Sequence, residues 1–152
     1  MAKKTIVYLD NCCFNRPYDD PLQPSIRLEI QAKLMVQAAI QSQELQLVWS
    51  FILDFENAAN PYHERRETIA DWKNLATVFI GAEEAIRLRA KRFESIGIKS
   101  KDALHLACAI SANSDYFLTT DKKLIQKGLQ IKGLKIINPI DFIIQEEANH
   151  ET

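Results

Sequence analysis

The chain is short of the residues from which many enzyme loops are built. Four glycines in 152 residues leave no GxGxxG, GxxxxGK[ST] or GxSxG segment. That excludes the usual phosphate-cradling loops and the serine nucleophile elbow. Cysteine is equally scarce: Cys12, Cys13 and Cys108 form an odd set without CxxC spacing. Neither a disulfide framework nor a zinc site is expected, and all three read as small core residues. His63, His105 and His150 share no ligand spacing with one another or with cysteine. No apolar run approaches the ~20 residues that a membrane-spanning helix needs. Met1-Ala2-Lys3-Lys4 leads straight into a strand, with no signal-peptide apolar core or small-residue cleavage site, so a cytoplasmic protein is expected. Neither sign of charge dominates: 19 Lys and Arg face 20 Asp and Glu, for a net charge of -1. A long basic footprint for nucleic acid is therefore absent; such a partner would need a short local site, or basic surface from a second subunit or another protein.

What is present is the composition of an ordinary globular domain, 47% hydrophobic and 26% charged. The expected organisation is one domain over residues 1–145 with a C-terminal tail over 146–152. Thr5 to Leu9 is a short apolar run of β-formers and reads as a buried strand. A proline-punctuated loop, Asn15 to Pro21, follows it. Ile26 to Gln41 has helical periodicity, Leu45 to Trp49 reads as a second strand, and Ser50 is placed to cap a helix running to about Ala59, before Pro61. Helices are expected over Glu64 to Leu75 and Glu83 to Ile96, separated by the strand-like Thr77 to Ile80, with Gly97 as the helix-ending residue. Ser100 is then expected to cap a helix from Lys101 to Ala112 that is apolar nearly all round and therefore buried. Tyr116 to Leu118 and Leu134 to Ile137 complete the strands, and Ile140 to Ile144 closes the chain as a short helix. Strands alternating with helices predict a three-layer α/β/α sandwich around a central parallel sheet.

Against that frame of apolar segments, the acids stand out. Asp10 ends the first strand, Asp54 and Glu56 follow the second, Asp102 opens the buried helix, and Asp121 follows Tyr116-Phe117-Leu118 through Thr119-Thr120. Each alone has an ordinary explanation. Asp102 suits the positive end of a helix, Asp121 suits a turn or the cap of the segment Lys122 to Lys127, Asp10 suits its own loop, and Glu56 is common inside helices. Together they occupy equivalent topological places, where open α/β sheets bind ligands outside the carboxyl ends of their strands. Acids at the ends of apolar segments are costly unless a cation or donors compensate them. An acidic pocket of this kind suits Mg²⁺ or Mn²⁺, which take oxygen ligands and activate water for attack on a phosphodiester. His105, one helical turn after Asp102, is expected to be a satisfied buried histidine. Arg87 to Arg92 is expected to be a solvated helix face.

The order strand-Asp10, Ser50-x5-Glu56, Asp102-Ala103-Leu104-His105-Leu106-Ala107 and Leu118-Thr119-Thr120-Asp121 resembles the PIN domain family, including VapC-like toxins of bacterial toxin–antitoxin pairs. The resemblance spans nearly the whole chain and is most specific over Lys101 to Ala109. It implies a PIN-like parallel sheet flanked by helices and an Mg²⁺- or Mn²⁺-dependent endoribonuclease. It assigns Asp10, Glu56, Asp102 and Asp121 as catalytic and metal-binding acids, with Asp10 and Asp102 on the principal ion, Glu56 positioning water, and Asp121 near a second ion or its hydration shell. Thr119 becomes a supporting hydroxyl. Asn11, Arg16, Lys101 and Lys122 join it as candidate substrate contacts. The implied partners are RNA, a cognate antitoxin and a second copy of the chain, with no membrane. Periodicity leaves Asp54 and Glu56 equally able to face the pocket, and the Ser-x5-Glu spacing of the family favours Glu56. This chain departs from the family pattern at Asn11, where Thr or Ser is usual, and in the loop Cys12 to Pro17. Two other readings compete: a PIN-like binding module without turnover, and a receiver-like regulatory domain. The second lacks the acid pair of receivers at Asp10-Asn11 and an Asp in register at Trp49-Ser50.

Overall fold

The computed structural model describes residues 3–14 and 23–150. Five parallel strands form one sheet: β1 (Thr5–Leu9), β2 (Leu45–Ser50), β3 (Val78–Ile80), β4 (Tyr116–Leu118) and β5 (Lys135–Ile137), in the order β3-β2-β1-β4-β5. The first three strands build outward to one edge, and β4 returns to the other side of β1. The β1/β4 junction is therefore a topological switch point, the place where such sheets open a crevice. Register across it pairs Val7 with Tyr116, Tyr8 with Phe117 and Leu9 with Leu118. Val7, Tyr8 and Leu9 are fully buried, as a central strand covered on both faces must be.

The helices are α1 (Pro24–Gln41), α2 (Phe51–Ala58), α3 (His63–Trp72), α4 (Glu84–Ser95), α5 (Ser100–Ser111), α6 (Lys122–Gly128) and α7 (Pro139–His150). Helix α1 packs against α7 and β2, while α5 packs against α4, α2 and β2. The sheet with its flanking helices forms the expected three-layer α/β/α sandwich. Ser50 leaves β2 in extended backbone and accepts a hydrogen bond from the Leu53 N–H, so the strand turns into α2 without a loop. Gly97 sits at φ +96° after α4, the left-handed position that ends a helix.

Several boundaries differ from the sequence expectation. Ser100 does not cap α5: it is the first helical residue, Lys99 occupies the cap position, and the Ser100 hydroxyl donates to Glu94 at 2.5 Å. The helix expected over Glu64 to Leu75 ends at Trp72 and tightens into a 3-10 turn over Lys73–Leu75. The closing helix starts at Pro139 and runs to His150, beyond Ile144 and into the segment read as a tail. The Asn15 to Pro21 loop and Arg16 lie outside the described residues. Just before them, Asn11–Phe14 forms a 3-10 turn, held from α1 by the Gln37 side chain donating to the Cys13 carbonyl at 3.0 Å. Cys13 and Cys108 are core residues as expected, but Cys12 is only half-buried, and all three are free thiols.

Candidate active site

At the carboxyl edge of the sheet, Asp10 extends the β1/β4 pairing by one residue: its N–H donates to the Leu118 carbonyl at 2.9 Å. The carboxylate is held from two sides. The Asn11 N–H donates to Oδ1 at 2.8 Å, and the Thr119 hydroxyl donates to Oδ2 at 2.7 Å. Thr119 is fully buried, its own N–H donating to Ile137 at 3.0 Å, and its hydroxyl also accepts the Asp121 N–H at 3.1 Å. One hydroxyl thus ties Asp10 to the backbone of Asp121.

Asp10, Glu56 and Asp102 border one open depression of about 440 Å³, together with Lys99, Ser100 and Lys101. Three elements converge there: the end of β1, the last turn of α2, and the first turn of α5. Burial pushes the Asp102 carboxyl above its ordinary range, and the negative charges of Asp10, Asp121 and Glu56 push it further, against a lowering effect of His105. Asp102 holds its proton more tightly folded than unfolded, so its ionisation costs stability as the pH rises through that raised value.

Asp121 lies at the margin. It is exposed and caps α6, with Oδ1 accepting the Lys123 and Leu124 N–H groups at 3.0 and 3.2 Å. The ordinary role foreseen for this residue is therefore real. Its charge still reaches Asp102, but its side chain does not border the depression. Lys122 is exposed at the start of α6 and likewise stands away from the depression, whereas Lys101 borders it. Asp54 points elsewhere. Its Oδ1 accepts the Trp49 indole N–H at 2.8 Å, and Lys73 pairs with its Oδ2 at 3.2 Å.

Glu56 is anchored by a chain of polar side chains that passes through the core. His105 is 1% exposed. Its Nε2 is 2.5 Å from Glu56 Oε1 and its Nδ1 is 2.6 Å from the Tyr8 hydroxyl, which is 2.6 Å from Ser50 Oγ. For a neutral imidazole one direction satisfies every atom. Ser50 donates to Tyr8, Tyr8 donates to His105 Nδ1, and His105 Nε2–H donates to the carboxylate. Burial raises the Tyr8 phenol well above its usual range, and the negative charges of Asp10 and Glu56 raise it further against the lowering hydrogen bond from Ser50, so its proton stays in place. Tyr8 is the part of this site that the sequence reading does not single out, and Ser50 enters that reading as a helix cap and motif position, not as a partner of Tyr8. The available signal was a tyrosine in the middle of a wholly buried strand, since a buried phenol needs a partner.

Solved structures that share this architecture include two VapBC complexes. A chain in the crystal structure of VapBC2 from Rickettsia felis bound to a DNA fragment from their promoter matches with a TM-score of 0.54 and 14% identity, over 88% of this chain and 98% of that one. A chain of VapBC-1 from nontypeable Haemophilus influenzae matches with a TM-score of 0.53 and 19% identity, over 89% and 98%. The fold is PIN-like. No protein-family model and no curated protein sequence matches the chain.

In this PIN-like fold the acids suit a hard divalent cation by their chemistry. The donors are carboxylate oxygens, and Asn11 Oδ1 is buried beside Asp10 without a hydrogen-bond partner. Among the described residues no three His, Cys, Asp or Glu side chains form a ready-made metal cage. Mg²⁺ needs no such cage, because it keeps several waters and is held by one or two carboxylates plus substrate phosphate.

Proposed function

We propose that this chain is an endoribonuclease that hydrolyses RNA phosphodiester bonds with Mg²⁺ or Mn²⁺. The observation that carries this reading is the depression shared by Asp10, Glu56 and Asp102, with Lys99 and Lys101 on its rim. Asp10 and Asp102 hold the principal cation, Glu56 orients the attacking water, and Asp121 contributes negative charge at the margin. The cation, when bound, neutralises phosphoryl charge and lowers the pKa of water. The protein's own contribution is placement. Thr119 and the Asn11 N–H fix both oxygens of Asp10, and His105 fixes one oxygen of Glu56, which leaves the other toward the depression. Lys101 and Lys99 supply the local positive charge that a polyanion requires and the near-neutral whole does not provide.

We further propose that it acts as the toxin of a bacterial toxin–antitoxin pair, in the cytoplasm and as a homodimer, with a cognate antitoxin as partner. The fold shared with VapBC chains supports this role. A small neighbouring reading frame whose product binds this chain and stops its cleavage is the expected finding.

The metal is tested by thermal denaturation. A cation that binds only the folded chain stabilises it by about 2.7 kcal/mol at a concentration a hundredfold above Kd. For a chain of this length that is a rise in Tm of roughly 5–10 °C. The rise should be larger near neutral pH than in acid, where the proton competes for Asp102. Asp102→Ala should shrink it, and an unchanged rise in that variant removes Asp102 from the cation site.

A further inference from the structure

Lys101 lines the depression, and Phe55 stands next to Lys101 just outside it. Phe55 immediately precedes Glu56 on α2, and Lys101 immediately precedes Asp102 on α5. The Phe55 ring is 62% exposed, and Lys101 Nζ stands 5.9 Å from its centroid. An exposed phenyl ring gives up the free energy its burial would gain, and here it does so against a lysine that lines the acidic depression. Lys101 and Lys99 both border that depression. An aromatic face, a cation over it, and a second cation within the same rim match what a nucleotide offers, a π-face attached to a phosphate.

We propose that Phe55 is a stacking platform for one unpaired RNA base next to the phosphate that enters the depression, with Lys101 holding the adjoining phosphate. This subsite rests on the nuclease reading for its substrate but not on turnover. A base inside a duplex has both faces covered, so the platform selects a splayed nucleotide. Specificity for a flexible single-stranded target then comes from the protein itself, despite its net charge of -1.

The test is binding of a short single-stranded RNA carrying 2-aminopurine, in excess EDTA so that cation-dependent cleavage is silent, followed by cleavage kinetics with Mn²⁺. Phe55→Ala should weaken binding about tenfold or more and remove the fluorescence quenching caused by stacking. Phe55→Trp should restore both, and Lys101→Gln should weaken binding while leaving the quenching of bound RNA in place. With Mn²⁺, Phe55→Ala should raise KM and leave kcat nearly unchanged. The melting temperatures of the Phe55 variants should match the parent, because the ring is exposed. Parent-like RNA binding by Phe55→Ala overturns the subsite. So does a change in that variant's self-association or antitoxin binding with RNA affinity intact, which would make Phe55 part of a protein interface. RNA binding that depends on Phe55 without any cleavage by the parent would keep the subsite and refute the nuclease reading. Failure of the parent to bind RNA in EDTA overturns the subsite, while the nuclease reading is decided separately by cleavage with Mn²⁺.

Discussion

Glu56→Gln should lower RNA cleavage by about 100-fold or more, the range for removing a positioned general base. Asp54→Asn should leave it within about twofold, as expected for a substitution away from the site. The two acids are separated by one residue on α2, and their surroundings differ completely. Glu56 faces the depression and is held there by His105. Asp54 accepts the Trp49 indole N–H and pairs with Lys73 on the exposed side. An asparagine at 54 still offers an oxygen to the indole, and the exposed ion pair contributes little. A glutamine at 56 keeps the shape and the acceptor for His105 but loses the charge. Equal losses in kcat for the two variants would mean that the pocket uses α2 in a different register.

His105→Ala should be the most damaging single change outside the acids. It empties a volume in the core, orphans the Tyr8 hydroxyl, and frees Glu56 to leave the depression. Loss of the buried ring and of a partner to a buried hydroxyl together cost about 3 kcal/mol. In a chain of this size that lowers Tm by roughly 10 °C. Cleavage should fall as well, even at temperatures where the variant remains folded. His105→Gln, whose amide can still donate to Glu56, should recover more activity than stability. Tyr8→Phe should be milder, because it removes the hydroxyl without leaving a cavity and His105 can still donate to Glu56. Measuring urea unfolding alongside kcat separates the two effects. A folded His105→Ala variant with parental kcat would show that Glu56 needs no anchor.

The layout of this site is largely legible in the sequence, because it depends on local order along the chain. An apolar run ending in Asp10, a serine that both ends β2 and caps α2, and an apolar helix opening with Asp102 each leave a local pattern. Alternation of strands and helices then puts those ends on one edge of the sheet. Ser100 is a good cap by residue type, but here it is already helical and its hydroxyl turns back to Glu94. Ser50 and Glu56 share a local spacing, but their link through Tyr8 and His105 was not legible, since it runs through β1 and α5, which are distant from them in sequence. His105 could be read as a satisfied histidine, but its partners could not be named. Asp121 looked equivalent to the other acids in order along the chain. Its side chain is bound to the start of α6, a distinction that depends on rotamer rather than on sequence position.

We propose that the carboxylates at the β1/β4 switch point use a divalent cation to cut RNA. The most direct measurement is cleavage of a labelled single-stranded RNA by the purified chain with Mn²⁺ or Mg²⁺, with excess EDTA, and by Asp10→Asn. Cleavage should occur with either cation, stop in EDTA and return when the cation is restored. It should be nearly lost in Asp10→Asn, whose asparagine can still accept the Asn11 N–H and Thr119 hydroxyl bonds that hold the fold there. Undiminished cleavage in excess EDTA, or by a folded Asp10→Asn variant, would contradict it.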